Sequence, residues 1–393
     1  MKKIAVVGLY SIPNMGDKIL CEATQYLVKE VYSEAKIYPV DVCPRYPSDY
    51  KGLEYIKYRI SRKMKTMGEK KFQYEDNSEY RYKYEYRYWS LRLNRYYKKI
   101  LKNMDAIIFA GGGFLKFRTQ GLNYYVEMII KIAQEFNIPV MMNGVGIEGY
   151  DEEDIRCQNL KNIVNNSCVK IITTRDDVNT LENKYIYNEN IVTDGVGDPA
   201  LWTPECYGIE KDKERKIVSI NAIRASVYKD YGNETEPDEI KEFYLGLIKE
   251  LEKRNIKYRI FSNGMKGDQK FARFLINSLE LSDEKIIMAP ETSMELLEII
   301  KSSSCIFGAR LHACITAYSL DVPVVGLIWN EKTRIFARLI GKPNNYFEES
   351  EMNPVIAVDA IEKAIDEEYD MEKRNALKES TKKYVEMFIN IFI

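Results

Sequence analysis

The chain has 393 residues, 45% of them apolar and 30% charged, which is enough for two large domains that each bury a core. It carries 58 Lys and Arg against 59 Asp and Glu, a net charge of −1, which excludes a protein that coats nucleic acid over its whole surface. No apolar run approaches the ~18 residues of a membrane span. Seven dispersed cysteines without a Cys-x-x-Cys pair point to reduced thiols in a cytoplasmic setting.

The N-terminus reaches Gly8 too soon for a signal peptide, so residues 3–7 read as a first strand. Residues 17–32 then predict a helix and 36–42 a second strand. A short β-branched run, a Gly or Asn turn and an amphipathic helix recur after that. Strands are expected at 106–110, 139–143, 169–173 and 191–193, with helices at about 121–136 and 175–182. After a charged linker at 207–215 the pattern restarts. Strands fall at 217–221, 257–262, 285–288, 305–307 and 322–328, and helices at 236–254, 268–280, 293–301 and 311–320. Helices follow to the end. Strands alternating with helices imply parallel sheets covered on both faces. The expectation is an α/β protein of two Rossmann-like domains facing a cleft, 1–206 and 214–370. A last helix at 371–393 would cross back to the first domain.

Residues 51–104 depart from this pattern. The span 51–100 holds 15 Lys and Arg against 6 Asp and Glu, and ten of the 30 tyrosines. The run Tyr80 to Tyr88 alternates with period two, yet Leu91, Leu93, Tyr97, Ile100 and Leu101 favour a helix at 86–104. This basic insertion reads first as a solvated helical hairpin, and second as a peripheral contact with an anionic membrane surface or a lipid-linked sugar.

Ligands of open α/β sheets bind beyond the C-terminal ends of the strands, which directs attention to the loops there. Gly308-Ala309-Arg310-Leu311-His312 is the sharpest of these segments. A strand ends, and an arginine and the only histidine of the chain open a helix. Arginine grips carboxylate or phosphate in a fork, free amides at a helix start add anion affinity, and histidine is the usual proton donor near neutral pH. Arg224 follows another strand end and would complete a site for a small, highly charged anion if it converges with Arg310. Asn14-Met15-Gly16-Asp17 opens the first helix, where Asp17 either caps the helix or faces the ligand. Gly111-Gly112-Gly113 follow a buried strand, and Asn143 ends another. Arg175-Asp176 begins a helix, and Asp194 to Pro199 reads as a turn or hinge. The Asn14 to Lys18 segment is not Gly-x-Gly-x-x-Gly, no P-loop occurs, and neither Cys/His metal spacing nor an Asp-x-Asp pair appears.

These pieces, in this order, resemble the polysaccharide pyruvyl transferases of bacterial cell-surface glycan synthesis. The resemblance is carried by Asn14 to Asp17, Ile108 to Phe114, Thr174 to Asp176, Asp194 to Ala200 and Gly308 to His312. It implies a fold like the GT-B glycosyltransferases. It also implies phosphoenolpyruvate as donor, a sugar or lipid-linked oligosaccharide as acceptor, and a cyclic pyruvate ketal as product, with no metal or organic cofactor. The family's donor-binding arginines and catalytic histidine map onto Arg224, Arg310 and His312, with Leu311 between the last two. Asp17 or Asp176 would orient a hydroxyl or act as its base, and Asn14, Gly16, Gly111, Gly112, Gly113 and Asn143 would line the cleft. A nucleotide-sugar glycosyltransferase and a non-catalytic glycan-binding relative are the competing readings.

Overall fold

A computed structural model describes residues 1–44, 56, 60, 79–117, 121–210, 212, 215–287 and 290–393. Most of residues 51–78, about half of the basic insertion 51–104 in which the membrane contact is expected, lies outside the described residues.

The chain forms two compact units. The first comprises Met1–Ser11, Leu27–Gly197 and Thr381–Ile393. Its sheet holds β1 (Lys3–Gly8), β2 (Lys36–Asp41), β3 (Ala106–Ala110), β4 (Val140–Val145), β5 (Val169–Thr174) and β6 (Val192–Gly195). All six are parallel, in the order β2-β1-β3-β4-β5-β6. Every residue of β3 and β4 is buried, as expected of strands covered on both faces, which read as continuous apolar runs. Register pairs Ile4 with Ala106 and Ile107 with Val140. This aligns the C-terminal ends that carry Gly111 and Asn143.

The second unit comprises Ile12–Tyr26 and Asp198–Ser380. Its parallel sheet holds β7 (Ile217–Asn221), β8 (Tyr258–Phe261), β9 (Ser303–Gly308), β10 (Val324–Leu327) and the short β11 (Tyr346–Phe347), in the order β11-β10-β9-β7-β8. The long helix α1 (Met15–Val31) starts in this unit: Met15, Ile19 and Leu20 share a core with Ile306, Ala313, Cys314 and Ala200.

Helix starts follow local chemistry. α2 (Glu79–Leu101) and α3 (Asn123–Glu135) belong to the first unit, as does α4 (Ile155–Val164), which opens on Asp154, whose side chain accepts from the Arg156 N–H. In the second unit α5 (Pro237–Lys253) has proline in its first turn and a reciprocal Glu236/Glu239 capping box. There follow α6 (Lys266–Ser278), α7 (Ser293–Lys301), α8 (Leu311–Ser319), α9 (Glu331–Leu339), α10 (Pro354–Ile365) and α11 (Met371–Phe392). The last turns of α11, from Thr381 onward, cluster with the first unit.

Two expectations need correction. The helix expected at 175–182 starts later, with one turn at Val178–Thr180 capped by Asp177 and a wider turn at Leu181–Tyr185. Asp176 is held back because its Oδ2 accepts from the Ile147 N–H at 2.9 Å. The strand expected at 285–288 is a 3-10 turn at Asp283–Lys285 and a single bridge between Ile260 and Ile286, with Met288 outside the described residues. The helix favoured at 86–104 is present and starts earlier, so that it takes in the period-two tyrosine run: α2 buries Tyr82, Tyr88, Leu93, Tyr97 and Leu101, while Tyr84 and Tyr86 are half-exposed.

Candidate active site

Three neighbouring strands of the second sheet, β9, β7 and β8, end side by side. β7 ends in Asn221, Asn263 follows β8 and Arg310 follows β9. The two asparagines are fully buried. Asn221 Oδ1 accepts the Arg310 backbone N–H at 3.1 Å, and Asn221 Nδ2 donates to Asn263 Oδ1 at 2.9 Å. A backbone donor thus fixes the polarity of the chain of amides and locks the three strand ends together.

The loop before α1 lies on this row. The Met15 N–H donates to the Asn263 carbonyl at 2.8 Å. Two glycines allow the close approach. Gly264 has φ +102°, and a Cβ on it would stand 2.4 Å from the Pro13 carbonyl oxygen. A Cβ on Gly16 would stand 2.4 Å from His312 Cβ. Gly16, expected as a lining residue, is therefore what lets the starts of α1 and α8 meet.

That meeting places His312 between two carboxylates. Nδ1 is 3.2 Å from Asp17 Oδ1, and Nε2 is 3.9 Å from Asp198 Oδ2. The other Asp17 oxygen accepts from Asn14 Nδ2 at 2.9 Å. The other Asp198 oxygen accepts the Ala200 N–H at 2.8 Å and caps the turn Pro199–Trp202. His312 and Asp198 are buried, 8% and 4% exposed. Asn14, Gly16, Asp17 and His312 thus come together as the sequence suggests. In the sequence Asp198 belongs to a stretch that reads as a turn or hinge; its Asp-Pro start is a capping signal, but nothing local shows that the second oxygen faces an imidazole.

Arg310 is gripped from below. Its Nε and Nη2 donate to the two oxygens of Asp268 at 2.8 and 2.9 Å. Asp268 lies in the first turn of α6 and is fully buried, whereas the Arg310 side chain is 17% exposed. The fork fixes the guanidinium plane, and Nη1 makes neither of these bonds. The same carboxylate accepts the Arg224 backbone N–H at 3.0 Å. The Arg224 guanidinium itself donates to Ser226 Oγ at 2.7 Å and pairs with Asp230, at 40% exposure. So Arg224 and Arg310 converge on one anion already supplied by the protein, one by its backbone and one by its side chain. Leu311, at the start of α8, packs half-buried on the core beneath. Nothing in the sequence marks Asp268, which looks like an ordinary acidic residue at a helix start.

The other expected residues belong to the first unit. The Gly111 N–H donates to the Asn143 carbonyl at 2.9 Å, and the Gly146 N–H to the Gly112 carbonyl at 2.5 Å. Gly111 and Gly112 take φ +54° and +74°. Asn143 Oδ1 accepts from the Thr173 hydroxyl at 3.2 Å, and its Nδ2 donates to the Thr381 carbonyl at 3.5 Å. Asp176 holds the Ile147 N–H. Gly113 is half-buried beside them.

The seven cysteines are all free thiols. Burial pushes Cys43, Cys206 and Cys314 up to about 12 and Cys168 up to about 11. Protonated thiols are poor nucleophiles, so these four are packing groups.

The model of the family described as polysaccharide pyruvyl transferase matches residues 14–331. The chain belongs to the polysaccharide pyruvyl transferase family. The match contains every residue around His312 and Arg310 and stops before α10 and α11. No curated protein matches. Among solved structures, the chain is similar to the UDP-GlcNAc 2-epimerase of Methanocaldococcus jannaschii in complex with UDP-GlcNAc and UDP. That structure is 13% identical with a TM-score of 0.58, over 99% of this chain and 100% of that one. The enzyme of the same name from Neisseria meningitidis, bound to UDP-GlcNAc, is 13% identical with a TM-score of 0.57 over the same shares. A putative UDP-N-acetylglucosamine 2-epimerase from Listeria monocytogenes is 10% identical with a TM-score of 0.58, over 99% of this chain and 95% of that one. At these identities the likeness is one of fold, which is of the GT-B type.

Proposed function

We propose that the chain transfers the pyruvyl group of phosphoenolpyruvate to two hydroxyls of a sugar in a cell-surface glycan or its precursor. The product is a pyruvate ketal, and phosphate is released. The observation that carries this reading is the single histidine at a strand end beside an arginine clamped by a buried carboxylate. Phosphoenolpyruvate presents a carboxylate and a phosphate on one small carbon frame, and two guanidinium groups suit it. Arg310 keeps N–H donors beyond those given to Asp268. Arg224 sits in an exposed ion pair worth about 0–1 kcal/mol, so it exchanges Asp230 for a ligand oxygen at little cost. The first turn of α8 adds backbone amides to the same anion.

In this scheme His312 protonates the methylene carbon, C3. Positive character develops at C2, a sugar hydroxyl attacks it, phosphate departs, and a second hydroxyl closes the ketal. The arginines stabilise the charge on the departing phosphate. Asp17, tied by Asn14, orients the imidazole through Nδ1. The scheme uses no metal and no organic cofactor. Free thiols and the phosphoenolpyruvate donor support a cytoplasmic setting. Among the described residues no helix is long and apolar enough to cross a membrane. A lipid-linked acceptor at the inner membrane face would engage the basic segment 51–104.

Calorimetric titration with phosphoenolpyruvate, UDP-glucose and GDP-mannose tests the donor. Saturable binding of phosphoenolpyruvate alone is expected, with loss of at least tenfold in Arg310→Ala. Binding of a nucleotide sugar instead would reassign the chain to glycosyl transfer, and binding of none of them would favour a non-catalytic relative.

A further inference from the structure

Asp198 has no part in the scheme above, yet it stands on the working face of the histidine. The geometry points to Asp198 as a second catalytic residue: it takes the proton of the first acceptor hydroxyl and passes it to His312 Nε2. This inference rests on the pyruvyl-transfer reading.

The argument begins with proton balance. The chain has one histidine, so the imidazole that protonates C3 must be recharged in every turnover without help from another. The first hydroxyl to attack must lose a proton at the same stage. A group that accepts the second proton and returns it to the imidazole closes both requirements. Three carboxylates are candidates in this unit. Asp268 is spent on the Arg310 fork. Asp17 faces Nδ1, the nitrogen turned away from Nε2, and its other oxygen is bound by Asn14. Asp198 alone of the three faces Nε2, at 3.9 Å. One of its oxygens is anchored by the Ala200 N–H, which aims the other. At 3.9 Å the two are not hydrogen-bonded, and a closing movement of about 1 Å brings them to transfer distance.

The steps balance. The Nε2–H bond of the imidazolium breaks as the new C3–H bond forms. The acceptor O–H bond breaks, its proton goes to Asp198 Oδ2, and the oxygen bonds to C2. The Asp198 carboxyl then returns the proton to Nε2. In the second half the C2–O bond to phosphate breaks with its electron pair on the leaving oxygen. The second hydroxyl bonds to C2, and its proton departs with the phosphate. Nothing is oxidised or reduced.

The test compares the wild type with Asp198→Asn. Asparagine keeps the shape and still accepts the Ala200 N–H as an N-cap, so folding is expected to survive and is checked by thermal melting. Phosphoenolpyruvate affinity is read by calorimetry. Turnover is read as phosphate release with a mixture of the methyl pyranosides of glucose, galactose, mannose and N-acetylglucosamine. The expected result is donor affinity within threefold of wild type and kcat lower by roughly 10²–10⁴-fold, the range for a proton-transfer group. Partial recovery of Asp198→Ala by added formate would mark a lost carboxylate rather than a lost cap. A kcat within threefold of wild type in Asp198→Asn overturns the inference, and so does a loss of donor affinity beyond tenfold. Failure of the wild type to bind phosphoenolpyruvate is a different result, and it removes the pyruvyl reading together with the relay. If the mixture holds no acceptor, a crystal of the wild type with phosphoenolpyruvate decides. C3 facing Nε2 on the side of Asp198 supports the relay, and C3 turned away from that pair ends it.

Discussion

Around His312 the expected residues are held by other side chains; around Gly112 and Asn143 in the first unit they are held largely by the backbone. In the second unit Asn14 binds Asp17, Asp17 faces His312, and Asp268 grips Arg310. In the first unit Asp176 accepts from the Ile147 N–H, and the Asn143 carbonyl and amide serve Gly111 and Thr381. A buried polar side chain that fastens a loop needs no further explanation. Two carboxylates around one buried imidazole, and a third under an arginine, are costly to bury, and their arrangement makes sense as chemistry.

This contrast breaks most readily at His312. His312→Gln is expected to keep phosphoenolpyruvate affinity and to lower kcat by roughly 10²–10⁴-fold; a variant of undiminished kcat in a steady-state assay would end the acid role. Asp268→Asn keeps the shape but leaves the Arg310 charge without its counter-ion. Loss of one partner of a buried pair costs about 3–5 kcal/mol, and because Arg310 is 17% exposed the lower end of that range, near 3 kcal/mol, is expected in urea unfolding. A loss below ~1 kcal/mol would mean that the fork is worth no more than a surface pair. Gly16→Ala drives a methyl group to 2.4 Å from His312 Cβ. Overpacking of this kind costs about 1–3 kcal/mol, and displacement of the imidazole should lower kcat more than it raises the KM for the donor. An unshifted melting temperature with full activity would show that the α1 start gives way freely.

Much of this was legible in the sequence. β1, β3 and β9 are buried runs that end in Gly or Ala, and the rule that ligands gather at strand ends led to Arg310 and His312. The same rule singled out Asn14 to Asp17 after the first strand, and the family resemblance joined that segment to Arg310 and His312 at the other end of the chain. Illegible were the partners. Asp268 lies 42 residues before Arg310, on a helix that follows a different strand, and its carboxylate looks like any acidic group in a first turn. Asn263 lies in a loop that follows a strand, but nothing in that loop shows that its amide meets Asn221, 42 residues away. The delayed helix after Asp176 had the same cause, since the Ile147 N–H that holds its carboxylate belongs to a loop 29 residues away. Local propensity sets elements, and capture of a side chain by a distant backbone group sets where they start.

The smallest effect on stability, and the finest division between the two arginines, is expected at Arg224. Its guanidinium is 40% exposed and paired with Asp230, itself 43% exposed. Such pairs contribute about 0–1 kcal/mol, and the residue's structural bond to Asp268 runs through its backbone N–H, which Arg224→Ala retains. Urea unfolding of that variant should therefore lie within about 0.5 kcal/mol of wild type. If the side chain leaves Asp230 for the donor, phosphoenolpyruvate affinity should nonetheless fall by about tenfold, the ~1.4 kcal/mol scale of one charge-assisted contact. Arg310→Ala differs on both counts, since it removes donor contacts and strands the buried Asp268 charge as well. A variant at 224 that weakens donor binding without loss of stability would separate a recruited ligand from a built-in clamp. Unchanged affinity would leave Arg224 as an exposed ion pair and place donor recognition on Arg310 and the start of α8.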